Sequence, residues 1–202
     1  EWPDEPFSFF DDLPRVYDRC LAELGVGQHV AMGHSMGGMY ALHHACRHRG
    51  EVRGLVLFEG FVTLAVHRAT VAPDGMRSVR MRPDVEAAFL RRRKANLEWE
   101  RSRPAFRASF WASQQAHDAR LWVGELDMPV LVFVGHNGQP LPATHEAWRR
   151  QLGMERVADL TVEVIPRAGH WMMLDDPEAV SSALLRFLDR LDRDASAGGA
   201  RP

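Results

Sequence analysis

At 202 residues, with 46% apolar and 26% charged residues and a formal net charge of −2, the sequence has the make-up of one soluble globular domain with a sizeable core. The small net charge gives no electrostatic pull toward nucleic acid or an anionic membrane, and no apolar run reaches the roughly 18 residues that span a bilayer. The opening EWPDEPFSFF lacks a basic-then-apolar leader and the two cysteines, Cys20 and Cys46, suggest no disulfide framework, so a cytoplasmic setting is expected.

The first predicted element is a helix ending at Leu24, with Leu13, Val16, Cys20, Leu21 and Leu24 along one face. Ser8 or Asp12 is placed to cap it, and Pro14 suits a first turn. HVAM (29–32) reads as a short buried strand running into Gly33, and GMYALHHACRHRG (38–50) as the helix that follows. GLVLFE (54–59) is a second buried strand. Residues 61–125 change character: they are rich in Arg, Met and Trp and helical in pattern, most clearly in PDVEAAFLRRRKANLEWERS (83–102). Strand patterns resume with PVLVFVG (129–135), then a helix around ATHEAWRRQLG (143–153), then the strand LTVEVIP (160–166). Asp176-Pro177 opens the last helix, which carries Val180, Leu184, Leu185 and Leu188 at helical spacing. Residues 191–202, ending in ASAGGARP, read as a disordered tail. Apolar strands alternating with helices indicate an α/β fold with a parallel sheet covered on both faces.

The chemistry centres on VAMGHSMGGMYAL (30–42). A serine hydroxyl is a poor nucleophile at neutral pH and needs a base, a group that orients the base, and donors for the oxyanion. Gly33-His34-Ser35-Met36-Gly37 fits G-x-S-x-G, in which a tight strand-to-helix turn forces the serine into an unfavourable backbone conformation above the sheet edge. Gly33 and Gly37 are expected to leave room for that turn, Gly38 to permit close helix-to-sheet packing, and the Met36 N–H, at the helix start, to face a developing oxyanion. The blander alternative is a loop whose serine caps a helix. A base should come from a later loop at the same edge. Of the ten histidines, His170 in PRAGHWMMLDDP directly follows the last strand and precedes the last helix.

The two stretches GHSMGG and AGHWMMLDDPEAV, in this order and spacing, resemble those of an α/β-hydrolase, and the resemblance covers about residues 8 to 190. It implies Ser35 as nucleophile and His170 as general base. In most such proteins the acid is an Asp after the strand corresponding to PVLVFVG. Here that stretch is GHNGQPLP, with Gly138 at the Asp position and no carboxylate between Gly135 and Thr144. EVRGLVLFEGF is similar instead to the segment in which haloalkane-dehalogenase-like members place their acid, which nominates Glu59. A carboxylate ending an apolar strand is costly to bury unless paired, and His170 is a natural partner. Asp127, Asp175 and Asp176 are weaker rivals: the first precedes its strand and the others suit caps of the final helix.

These observations lead to a serine hydrolase that cleaves a small ester, thioester or lactone through an acyl-enzyme. Residues 1–60 and 126–190 would form the hydrolase core, with 61–125 as a helical cap inserted between strands. His34, Trp111 and Trp171 are candidate pocket residues; Trp99, Phe106, Phe110 and Trp122 either join them or serve as core. RRRK (91–94) reads as a solvated helix face. The histidines lack a ligand set with Cys or carboxylate spacing, so neither a metal nor a cofactor is expected. The expected partner is a small acyl substrate, not nucleic acid or membrane. The resembled fold carries further strands before the first helix, including a turn that supplies the second oxyanion N–H. A missing N-terminal segment or a second chain is therefore expected to complete the sheet beside HVAM. The alternatives are a non-catalytic binding or partner subunit of the same fold, and a C–C hydrolase or cyclase using the same three residues.

Overall fold

The computed structural model describes residues 4–70, 80–138 and 140–198. They form two compact units. One comprises Gln28–Arg80 and the described residues from Ala119 onward; the other comprises those up to Gly27 together with Met81–Asp118.

The first unit is built on four strands, β1 (His29–His34), β2 (Val52–Phe58), β3 (Val130–His136) and β4 (Leu160–Pro166), in that spatial order and all parallel. Their side chains alternate between two apolar layers, as the period of two requires. Leu55, Leu57, Val130 and Val132 face one layer, with Leu42 and Ala45 of α2 (Met36–Arg47) and Trp148 and Leu152 of α6 (His145–Leu152). Val56, Leu131 and Phe133 face the other, with Val180, Ala183, Phe187 and Leu191 of α8 (Pro177–Gly198). Two-sided burial explains why β2 and β3 read as continuous apolar runs. The short helices α3 (Leu64–Thr70) and α7 (Met172–Asp175) follow β2 and β4. Each strand in the sheet extends one or two residues beyond, or is displaced by that much from, the predicted span, apart from β4, which matches.

The second unit contains α1 (Asp12–Glu23), α4 (Pro83–Arg101) and α5 (Pro104–Gln115). Its chain opening lies along α5. Ser109 and Ser113, one helical turn apart, accept the main-chain N–H groups of Phe7 (2.7 Å) and Phe9 (2.9 Å). Asp4 Oδ1 accepts those of Ala105 and Phe106 at 2.9 and 3.2 Å, satisfying donors at the start of α5 that its own flanking residue, Arg103, cannot. Phe7, Trp99 and Phe110 all meet the Phe106 ring at centroid distances of 5.2–5.4 Å. Arg91, Arg92, Arg93 and Lys94 are exposed, as a solvated helix face requires.

Several boundaries differ from those predicted. Residues 61–70 and 119–125 belong with the sheet rather than with an inserted cap. Phe61 and Val62 are buried in the sheet core with Ala119 and Val123, and the Ala119 N–H donates to the Val62 carbonyl at 2.8 Å. Residues 4–27 cluster with 81–118 instead of with the core, through the Ser109 and Ser113 bonds above. Helix α1 forms, but its apolar stripe is not buried: Val16 and Leu24 are 38% and 76% exposed. Helix α8 continues to Gly198 through the alanines expected to lie in a disordered tail. Residues 71–79 of the expected cap and 199–202 of the expected tail lie outside the described residues. Both cysteines are free, and burial pushes the Cys46 thiol up to about 12, which keeps it protonated and unreactive.

The start of α2 crosses the chain just after β2 with no space between backbones. A Cβ on Gly38 would sit 2.5 Å from Gly60 Cα, whereas one on Gly37 meets nothing within 4 Å. Gly33 and Gly38 therefore need the absent side chain, Gly38 for the close packing expected of it, whereas Gly37, expected to leave room for the turn, does not. Gly38→Ala is expected to lower stability by about 1–3 kcal/mol through backbone displacement. Gly37→Ala should stay within about 1 kcal/mol of the wild type or gain slightly from the better helix former. Urea denaturation of the two variants checks this, and equal losses would contradict it.

Candidate active site

Parallel strands deliver the chain to one edge of the sheet, and three residues that follow strands there are left-handed without being glycine. Ser35 (φ 55°) follows β1, Glu59 (φ 47°) follows β2 and Arg167 (φ 54°) follows β4. Such conformations cost about 1–3 kcal/mol each and persist only where surrounding bonds impose them.

At Ser35 those bonds are visible. Its N–H donates to the Phe58 carbonyl (2.8 Å), prolonging the β1–β2 ladder, while its own carbonyl accepts from Gly38 (2.9 Å) and Met39 (3.1 Å), starting α2. Ser35 is thus the last ladder residue and the first helix-flanking residue at once. A Cβ at Gly33 would lie 2.0 Å from the Gly37 carbonyl oxygen, so the turn closes only over glycine. The Ser35 hydroxyl makes no capping hydrogen bond to α2, which argues against the helix-cap alternative. Met36 is the first residue of α2, where helix geometry leaves the N–H without an intrahelical acceptor.

Glu59 and His170 are each 2% exposed and meet at 2.5 Å, Glu59 Oε2 to His170 Nδ1. The other carboxylate oxygen accepts the Gly135 N–H at 3.0 Å. A buried carboxylate without such partners would be strongly unfavourable, so these bonds hold Glu59 against the ends of β3 and the loop after β4. Gly135 serves twice, because a Cβ there would lie 2.5 Å from the Gly169 carbonyl and push the His170 loop away. With its Nδ1 engaged by Glu59, His170 retains Nε2 for other chemistry.

The rival acids lie elsewhere. Asp127 is exposed before β3, at the opposite edge. Asp176 accepts the Ala179 N–H (3.2 Å) at the start of α8 and pairs with Arg80, whose hydrogen bond holds its carboxyl below the usual range. Asp175 is 7% exposed and accepts main-chain N–H groups from Gly169 (2.8 Å) and Arg80 (2.7 Å).

Of the candidate pocket residues, the structure brings two to His170. The His34 ring lies 4.5 Å from the His170 ring and 4.6 Å from that of Trp171, centroid to centroid. His34 Nε2 is 2.7 Å from the His170 carbonyl, a bond in which the imidazole N–H donates. Burial, followed by the proximity of His170, lowers the His34 pKa to about 4, so it is neutral at pH 7. His67 of α3, not singled out in the sequence, adds a ring 5.8 Å from His170. Trp111 is on α5 in the other unit, where its indole donates to Glu100 at 3.4 Å; Trp122 contacts His43 in the sheet unit. Gly60 and Gly135 escaped sequence reasoning as contributors to the site; their signals, a Glu-Gly pair after a strand and a glycine ending a strand, are too common to stand out alone. Asp175, weighed in the sequence only as a rival acid or a helix cap, instead binds the main chain next to His170.

Residues 3–183 match the model of the Alpha/beta hydrolase family, and the chain belongs to that family. No curated protein matches it by sequence. Among solved structures, it is similar to Est816, described as an N-acyl homoserine lactone degrading enzyme, at 20% identity and a TM-score of 0.64, covering 93% of this chain and 77% of that one. A membrane phospholipase A described as a bacterial virulence factor gives 19% identity and a TM-score of 0.68, covering 94% and 66%. The esterase EaEST from Exiguobacterium antarcticum gives 18% identity and a TM-score of 0.67, covering 94% and 76%. At these identities the likeness is one of fold. Among the described residues, no helix is long and apolar enough to cross a membrane.

The burial of His34 has a measurable consequence. It titrates near 4 when folded against 6.5 when unfolded, so between those values the unfolded chain binds more protons. Its contribution to stability is complete above pH 6.5 and is lost as the pH falls toward 4, by up to about 3 kcal/mol. Urea denaturation between pH 4 and 7 should show this slope in the wild type and a shallower one in His34→Gln. Parallel slopes would show that His34 does not titrate in this way.

Proposed function

We propose that the protein is a serine hydrolase that cleaves a small ester, thioester or lactone, with Ser35 as nucleophile, His170 as general base and Glu59 as the acid that orients it. The observation that carries this reading is the buried 2.5 Å contact between His170 Nδ1 and Glu59, at the same sheet edge as the left-handed Ser35. Glu59 holds one tautomer and stabilises the imidazolium formed when His170 Nε2 takes the serine proton. Ser35 Oγ attacks the acyl carbon, and the developing oxyanion faces the Met36 N–H at the positive end of α2. Collapse of the tetrahedral species transfers the proton from His170 to the departing alkoxide or thiolate. Water, deprotonated by His170, then releases the acid and restores Ser35.

A serine nucleophile favours acyl substrates over the alkyl halides and epoxides that Asp nucleophiles open. The lactone-degrading enzyme and the esterase among the structural relatives are in keeping with that class. His34 and Trp171, grouped beside His170, are the candidate pocket residues best placed to meet the acyl group.

A fluorophosphonate probe with peptide mapping tests the reading. One adduct is expected, on Ser35, absent from Ser35→Ala. Labelling should slow by roughly 10³-fold or more in His170→Ala and by roughly 10²–10⁴-fold in Glu59→Gln, which removes the charge but keeps the shape. A folded wild-type protein that takes no label would overturn it and favour a non-catalytic binding protein of the same fold.

A further inference from the structure

Asp175 is 7% exposed, and its carboxylate accepts two main-chain N–H groups. Its Oδ2 takes the N–H of Gly169, the residue immediately before His170, at 2.8 Å. Its Oδ1 takes the N–H of Arg80, the last residue of the sheet unit before the chain enters the other unit, at 2.7 Å. Each oxygen thus accepts one of these two N–H groups.

We propose that Asp175 is a positioning residue for the base: it fixes the main chain on the N-terminal side of His170. This rests on the reading of His170 as the base. The loop leaves β4 through the left-handed Arg167, passes His170 and turns through α7 (Met172–Asp175), whose last side chain closes back on Gly169. On the other side of the base, His34 Nε2–H holds the His170 carbonyl at 2.7 Å. The base is therefore anchored before its Cα by Asp175, after it by His34, and at its ring by Glu59. Glu59 alone would tether the ring but leave Nε2 free to swing about that contact. The two main-chain anchors restrict that motion, and proton transfer depends steeply on such placement.

The double acceptance explains why a carboxylate is needed. An asparagine in the same space offers one oxygen and one NH₂, so one of the two N–H groups would face a donor. The neighbouring Asp176 differs: it caps α8, a task asparagine performs equally well.

The test compares Asp175→Asn and Asp176→Asn with the wild type, using p-nitrophenyl acetate turnover normalised to Ser35 titrated by fluorophosphonate. In Asp175→Asn, kcat per titrated site is expected to fall roughly 10- to 100-fold with KM within about threefold. In Asp176→Asn it should stay within about twofold. A purely structural role for Asp175 would reduce the titratable fraction but leave kcat per site unchanged, and that result overturns the proposal. A second measurement stands apart from activity: hydrogen exchange at the Gly169 amide. It should be strongly protected in the wild type and exchange at least about tenfold faster in Asp175→Asn, with the β3 and β4 amides unaltered. An unprotected Gly169 amide in the wild type overturns the proposal even if the variant does not fold. A wild type that takes no fluorophosphonate but protects Gly169 would instead show that the hydrolase reading had failed while the anchoring held.

Discussion

The buried contact between Glu59 and His170 is the constraint around which the sheet edge is arranged. A carboxylate 2% exposed demands compensation, and the chain supplies it from two directions: the Gly135 N–H at the end of β3 and the imidazole on the loop after β4. One side chain thereby links the ends of three strands. Gly135 lacks a side chain because the His170 loop must pass against it, and Gly60 lacks one because α2 passes against the chain just beyond Glu59. The glycines here follow from the need to bring a carboxylate, an imidazole and the Ser35 turn to one place.

Backbone strain is concentrated at the same edge. The left-handed Ser35, Glu59 and Arg167 each directly follow a strand, and two of the three belong to the proposed catalytic set. The sheet can impose these conformations because its strands are hydrogen-bonded in register, from His34↔Phe58 to His136↔Pro166, around the buried β2 and β3. The strain is offset by the core beneath it. Its chemical use is to aim side chains away from the sheet without lengthening the turns.

The remaining histidines near the site have a different part. His34, neutral at pH 7 because it is buried, acts as a donor to the main chain of His170 rather than as a charge beside it. A charged His34 would oppose the imidazolium that the proposed acyl transfer would form on His170. Its low pKa keeps the two rings compatible at a centroid distance of 4.5 Å.

Local pattern by itself determined the order and type of the sheet-forming elements, the parallel α/β class and the strand–turn–helix around Ser35, because burial on both faces and glycine punctuation leave traces within a few residues. The same patterns singled out His170 by its place between the last strand and the last helix. Only the tertiary structure decided which of several carboxylates meets that histidine, since Glu59 and His170 are 111 positions apart and their contact depends on the register of β2, β3 and β4. It also decided that residues 4–27 join α4 and α5, through serine hydroxyls capturing main-chain N–H groups more than a hundred positions away. That Gly37 carries no steric demand, while Gly38 lies against Gly60, was likewise set in three dimensions. Periodicity reports which face of an element is apolar; which partner covers that face, and which distant backbone lies against a given glycine, depends on how the chain returns to itself.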